Sequence, residues 1–398
     1  MKENLPWLNN LKFRGSWGEL GNQQIGTYPY QSKLVTGANA IFGDNVFPGI
    51  VVNTVPNTDI TWETTAIVDL GVDFSVMDGK LSATVDYFNK TTRDILYSIT
   101  TAGVLGMGSS PYNAGKVKNV GWDFNIVHKN TIGNFSYSIS PNFALVRNEV
   151  LSLAKVEKDI DKGLFIGYPL NAIYGYIADG LFVDAQDVLD YPTQPFKAVP
   201  GDIKYKDISG PDGIPDGKVT AEDDRTVIGQ TSPKYTYGGQ VSARYKLFDF
   251  SLTFDGAGGM NRNLENYAAR AFANKSNVQQ WMWDNRWTKE NPNPDAIYPR
   301  FYTHGESHTE PVSYYSTFWA WDASYLKIRS AQIGFDMPAA VNKVLNIESM
   351  RFYVSGRNLV CFDNYFPGWD PEILVETAEG GRHYPITRTY VLGLNVKF

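Results

Sequence analysis

The residues best suited to chemistry lie in one acidic stretch. Asp207, Ser209, Asp212, Asp216 and Asp223 fall within Asp207-Ile-Ser-Gly-Pro-Asp-Gly-Ile-Pro-Asp-Gly-Lys-Val-Thr-Ala-Glu-Asp-Asp224. With Asp212 as position one, Asp216 stands at five, Gly217 at six, Val219 at eight and Asp223 at twelve. That is the spacing of an EF-hand-like calcium loop, in which the glycine permits the sharp turn. Ile214 occupies position three, where an oxygen ligand belongs, so Asp207 or Ser209 would have to supply that oxygen from a bulged segment. A calcium ion or similar hard cation there would stiffen the loop and would not catalyse. The competing reading is an acidic surface turn built from Gly and Pro.

Tryptophan supplies the second constellation. Trp281, Trp283 and Trp287 are close in sequence, with Trp319 and Trp321 further on. Aromatic faces stack on sugar rings, so the first three are candidate substrate-binding residues. The alternative is the interfacial belt that Trp and Tyr form in membrane proteins. Trp319 and Trp321 alternate at the head of a strand, which favours the belt for that pair. His128, His304, His308 and His383 are scattered. His304 and His308, with Glu306 and Glu310 nearby, would suit a metal on a helix, but Gly305 and Pro311 argue for a loop. The sequence contains no Gly-x-Ser-x-Gly, no phosphate-binding loop and no zinc-protease signature. A non-enzymatic protein with no catalytic residues is expected.

These residues must be positioned by a long chain of 398 residues, of which 20% are charged and 43% hydrophobic, so it is no disordered tail. The net charge of -6 and the lack of a basic cluster exclude nucleic acid as a partner. The single cysteine, Cys361, excludes an internal disulfide and a thiolate-cluster metal site. No run of eighteen apolar residues exists, so no transmembrane helix is expected. The opening residues, Met1 to Asn10, lack the apolar stretch of a secretory leader, so none is expected. None of this makes the chain soluble. The strands of a transmembrane barrel alternate oily and polar residues, which keeps mean hydropathy low, and here it is -0.29. The 24 Tyr, 22 Phe and 10 Trp, with 36 Gly, fit that composition.

The periodicity is two. Phe135, Tyr137, Ile139, Pro141, Phe143 and Leu145 alternate with Ser136, Ser138, Ser140, Asn142 and Ala144. Val120, Trp122, Phe124 and Ile126 alternate with Gly121, Asp123 and Asn125. The pattern predicts about ten strands over 8–18, 62–77, 80–97, 117–129, 134–149, 234–246, 250–256, 324–336, 350–360 and 387–398. Short connections, such as Asp78-Gly79, alternate with long ones at 19–61, 98–116, 150–233, 257–323 and 361–386. An antiparallel outer-membrane barrel keeps that parity, with short turns in the periplasm and long loops outside. The parity places Tyr174 to Phe182 in an outer loop and not in the wall. Glu265 to Trp287, free of Gly and Pro, reads as one helix on the outer loop surface. Phe398 closes an alternating strand and reads as the terminal aromatic that barrel-assembly machinery recognises.

Several motifs then carry a resemblance. They include Leu11-Lys-Phe-Arg-Gly-Ser-Trp-Gly18, Gly21-Asn-Gln23, Trp62-Glu-Thr64, Asp86-Tyr-Phe-Asn-Lys90 and Asn119-Val-Gly121. Later come Gly167-Tyr-Pro169, Pro200-Gly-Asp202, Arg286-Trp-Thr288, Tyr325-Leu-Lys-Ile-Arg329, Val354-Ser-Gly-Arg-Asn-Leu359 and Asp370-Pro-Glu372. In this order, over nearly the whole chain, the sequence resembles the C-terminal part of SusC/RagA-type TonB-dependent outer-membrane transporters. The resemblance implies a wide barrel of 22 strands filled by an N-terminal plug domain. It also implies a SusD-like surface lipoprotein as lid, TonB pulling on the plug, and an oligosaccharide or, in some members, a peptide as cargo. Plug and TonB-contacting segment are missing and only about half the strands are present, so a fragment is expected, one unable to transport alone. The rival expectation is a soluble, secreted, β-rich protein that binds or cleaves glycans.

Overall fold

The computed structural model describes residues 7–24, 28, 30–32, 34–52, 54–97, 104, 106–109, 112–153, 156–160, 163–264, 266–272, 277–302, 314–373 and 384–398. Ten strands form one sheet: β1 (Leu8–Asn22), β2 (Glu63–Val76), β3 (Leu81–Tyr97), β4 (Tyr112–Ile132), β5 (Phe135–Leu153), β6 (Tyr235–Tyr245), β7 (Phe248–Gly258), β8 (Tyr325–Asp336), β9 (Ser349–Asp363) and β10 (Thr389–Lys397). Each pairs antiparallel with its neighbours in sequence, so their spatial order is the chain order. All ten expected strands are present. The longest, β4 and β5, run 21 and 19 residues. They outreach the roughly ten residues that cross a bilayer at a tilt and so project beyond it.

The tight hairpins follow from local chemistry. The β4–β5 turn, Gly133-Asn134, and the β6–β7 turn, Lys246-Leu247, are two residues long, and their first residues take φ of 58° and 53°. Positive φ at that place matches the twist of the flanking strands. The β8–β9 connection holds a short helix, Ala339–Val344. Antiparallel order puts these short connections at one end of the sheet and the five long ones at the other.

Cross-strand register assigns the faces. Phe13 pairs with Val72, Val72 with Val85, Val85 with Phe124 and Phe124 with Phe143. Directly paired residues share a face, so this row is oily across five strands. Phe13 and Trp17 on that face are 75% and 70% exposed, far more than water would tolerate for a contiguous apolar surface. Rings line both ends of it. Tyr87 and Trp122 lie 5.0 Å apart, with Phe124, Phe143 and Tyr235 continuing the line. Phe248 and Phe335 lie 4.9 Å apart near the short turns. Aromatic rings towards the ends of an oily face are what outer-membrane barrels present.

The main apolar core lies in the long connections; a small second cluster, Val117, Val150 and Leu153, sits at the loop ends of β4 and β5. Leu181, Phe182, Ile203, Tyr205, Leu264, Trp319 and Phe366 are buried together or close by, drawn from three of the connections. Trp319 therefore corrects the belt reading. It is 1% exposed, and the strand that follows it, Ala320–Asp322, pairs with Asn261–Asn263 outside the wall. Trp321 stacks on Phe366 at 4.1 Å in the same body. The segment from Tyr174 stays out of the wall, as the parity requires: Ala172–Tyr176 pairs with Arg225–Gln230, and Ala178–Leu181 with Ile203–Tyr205. The single helix expected over Glu265–Trp287 is not formed. Two short helical turns, Asn266–Ala269 and Gln280–Asn285, stand there, and Phe272 between them has φ 57°, which no helix residue adopts. Residues 265 and 273–276 lie outside the described residues.

Candidate functional site

The inner face carries the chemistry, and its charges are arranged across strands. Arg14 on β1 reaches Asp73 on β2 at 2.9 Å and Asp86 on β3 at 2.6 Å, while the Thr84 hydroxyl donates to Asp73 at 3.0 Å. A Cβ on Gly71 would fall 2.2 Å from Asp86 Oδ1, so only glycine leaves room for this trio. A second cluster repeats the device. Arg351 on β9 meets Asp249 on β7 at 2.6 Å, and Arg244 on β6 pairs with Asp336 on β8. A Cβ on Gly334 between them would fall 2.4 Å from the Arg351 guanidinium. Between the clusters the face carries mostly hydroxyls and amides, Asn125 opposite Asn142, Ser138 opposite Ser242 and Ser251 opposite Gln332, with Asp123 and Lys129 of β4 among them. Such a surface favours water over lipid.

The third cluster joins wall to loop. Lys327 on β8 donates to Asp370 at 2.6 Å and 2.7 Å and to Glu372. Arg329 bridges Glu372 and Asp255, and the Tyr325 hydroxyl donates to Glu372 at 2.8 Å. Burial pushes the Glu372 carboxyl up, but the hydrogen bonds from Arg329, Lys327 and Tyr325 outweigh it and hold it at about 2, against an ordinary 4.5. A depressed carboxylate adds stability that is fully present above its unfolded value and fades as pH falls through its folded one. The attachment is therefore expected to be intact above pH 4.5 and to weaken as pH drops towards 2. Near-ultraviolet circular dichroism of the Trp321–Phe366 stack follows it; loss of the signal already at pH 6 would contradict this assignment.

The acidic stretch folds around a residue outside the expected ligand set. Asp224 is buried, and its carboxylate accepts from the backbone N–H groups of Ile208 at 2.7 Å, Ser209 at 3.1 Å and Thr220 at 2.7 Å. Asp207 accepts from Gly217 N–H at 2.6 Å, and Asp216 from Lys218 N–H at 2.9 Å. Asp223 meets the Thr220 hydroxyl at 3.3 Å, and Asp212 is exposed. Among the described residues no three His, Cys, Asp or Glu side chains gather as a metal ion needs. Calorimetric titration with calcium tests the cation reading: heat that disappears in Asp216→Ala would show that the loop closes on a cation, and no heat would remove that reading.

The three candidate tryptophans part company. Trp287 is buried in the loop core. Trp281 is half-buried, its indole N–H donating to Gln279 at 2.8 Å and its ring edge-on to Tyr298. Trp283 is the most open of the three: it is 49% exposed, with the Arg286 guanidinium lying over its ring 3.9 Å from the centre. His128 sits on the oily face opposite Ile139; His304, His308 and His383, with Glu306 and Glu310, lie outside the described residues. Burial raises the Tyr176 phenol to about 12 and pushes Tyr205 higher still, so neither titrates in a physiological range. The ion clusters escaped the sequence reading because their partners lie 43 to 102 residues apart. Their signal was present, unexplained, in the Tyr325–Arg329 and Asp370–Glu372 motifs.

Ten strands in meander order, oily on one face and ion-paired on the other, with the long connections at one end, define the wall of an outer-membrane β-barrel. The chain belongs to the TonB dependent receptor-like β-barrel family, whose model matches residues 4–359. It is 28% identical to TonB-dependent receptor P3 of Formosa agariphila, over 98% of this chain and 40% of that protein. It is 24% identical to TonB-dependent receptor SusC of Bacteroides thetaiotaomicron, over 98% of this chain and 38% of that one. The fold matches the RagAB peptide transporter with a TM-score of 0.73 at 23% identity, over 98% of this chain and 41% of the other. The chain thus spans about 40% of the length of the curated relatives it matches. Family and fold set aside the soluble secreted reading, and the protein is an outer-membrane barrel component.

Proposed function

We propose that the chain forms ten adjacent wall strands and the outer loop body of an importer of oligosaccharides or peptides, driven by TonB through a plug domain and lidded by a SusD-like surface lipoprotein. The observation that carries the reading is the polar inner face, where Arg14, Arg351 and Arg329 are each neutralised by carboxylates from neighbouring strands. Paired charges keep the wall wet without trapping a neutral or zwitterionic cargo. Two edges, β1 and β10, leave backbone groups that lipid cannot satisfy, so further strands must close the barrel. Trp283, half-exposed with Arg286 over its ring, is the remaining candidate for contact with a sugar. The test is genetic. Removing the coding region for 1–398 from the source bacterium is expected to abolish growth on one class of oligosaccharide or peptide and to spare simple sugars. Unchanged growth on every oligomer would overturn the proposal, and so would uptake restored to a transporter-null strain by this polypeptide alone.

A further inference from the structure

The loop segment 364–373 is held at both ends of its length. Tyr365 and Phe366 are buried in the loop core, and the Pro371 carbonyl accepts from Arg262 at 3.1 Å. Asp370 and Glu372 turn the other way, to the wall. Lys327 there is 4% exposed, although a lysine is almost never so buried unless paired. Two cations, Lys327 and Arg329, face three carboxylates, Asp255, Asp370 and Glu372, and the Tyr325 hydroxyl takes up a further carboxylate lone pair. Arginine spans two carboxylates with its planar fork, whereas lysine supplies a point charge at the centre. Directly across the β8–β9 ladder from Lys327, on the same inner face, stands Cys361, half-buried and the one thiol of the chain.

We infer that Lys327 and Arg329 are positioning residues that fasten segment 364–373 to the inner wall as a fixed strap, so that the loop body rides with the barrel and does not swing on this attachment. The significance of the strap rests on the transport reading, but its closure is measurable without any cargo. Packing of Phe366 on Trp321 could by itself hold the segment; the charges add a separate requirement. Removing one member of a buried pair strands the others in a poorly solvated place, whereas neutralising both sides relieves them.

Cys361 reports the outcome in outer-membrane vesicles, through its rate of labelling by a maleimide. The wild-type thiol is expected to react slowly. Lys327→Met is expected to speed labelling about a hundredfold, as a stranded carboxylate pair forces the strap open. Adding Asp370→Asn to Lys327→Met is expected to slow it again, a rescue that loss of packing would not give. Equal rates in wild type and Lys327→Met, or no rescue in the double variant, would overturn the inference while leaving the transport reading untouched. Should Lys327→Met fail to assemble, Glu372→Gln on the loop side gives the same reading, with about tenfold faster labelling expected from the loss of one charged partner.

Discussion

Leu252→Arg is expected to destabilise the membrane-inserted sheet by about 2–4 kcal/mol, the cost of an arginine on the lipid face near the bilayer midplane. Leu252 lies on β7, paired with Val241 on one side and Ala331 on the other, all in the oily row. Ser251→Arg, one residue earlier, is expected to change stability by about 1 kcal/mol or less, because its head group stays in water. Ser251 pairs with Ser242 and Gln332 on the polar face. Urea titration of the two variants in lipid vesicles gives both numbers. Equal costs would mean that the two faces meet the same medium, and the barrel assignment would fail.

Trp319→Ala is expected to cost the loop body about 3–5 kcal/mol, the range for deleting a large buried aromatic. Its ring packs edge-on against Tyr298 at 5.8 Å and Phe318 at 5.1 Å, and its carbonyl accepts from Leu264 N–H at 3.2 Å. Hydrogen exchange at the Leu264 and Ala323 amides, both bonded within this body, reads the loss. The wall amides should keep their protection, since their ladder does not depend on Trp319. Trp283→Ala, half-exposed, is expected to cost about 1 kcal/mol or less by the same measure. A small effect at Trp319 would return that residue to a surface role.

The wall was legible in the sequence because its signal is local. A strand needs only its own alternation to declare its faces, and Phe135 to Leu145 or Val120 to Ile126 display it without help from the rest of the chain. Glycine at Gly79 and Gly133 marks the turns in the same way. The loop body was not legible, because nothing in Trp319's neighbours says that Tyr298 and Leu264 will enclose it. Its alternation with Trp321 was real but belongs to a small sheet above the wall. Asp224 illustrates the same limit. Counting positions from Asp212 favoured the exposed carboxylates, whereas the residue that shapes the turn is the buried one, recognisable only once Ile208, Ser209 and Thr220 present their N–H groups to it. The helix expected from composition at Glu265–Trp287 gave way to tertiary packing for a related reason. Met282 and Trp287 both enter the loop core, and extended backbone at Arg286 between them ends the helix.

The most direct test asks which medium each face of the sheet meets. Phe124 and Asn125 are adjacent on β4, the first opposite Phe143 in the oily row and the second opposite Asn142 in the polar one. With Cys361 replaced by serine, a nitroxide is attached at each position in turn, in the outer membrane, and its collisions with oxygen and with a water-soluble nickel complex are measured. The label at 124 is expected to meet oxygen and not nickel, as lipid contact requires, and the label at 125 to meet nickel in the water-filled interior. Equal exposure to nickel at both positions would contradict a membrane wall and leave the ten strands as a sheet in water.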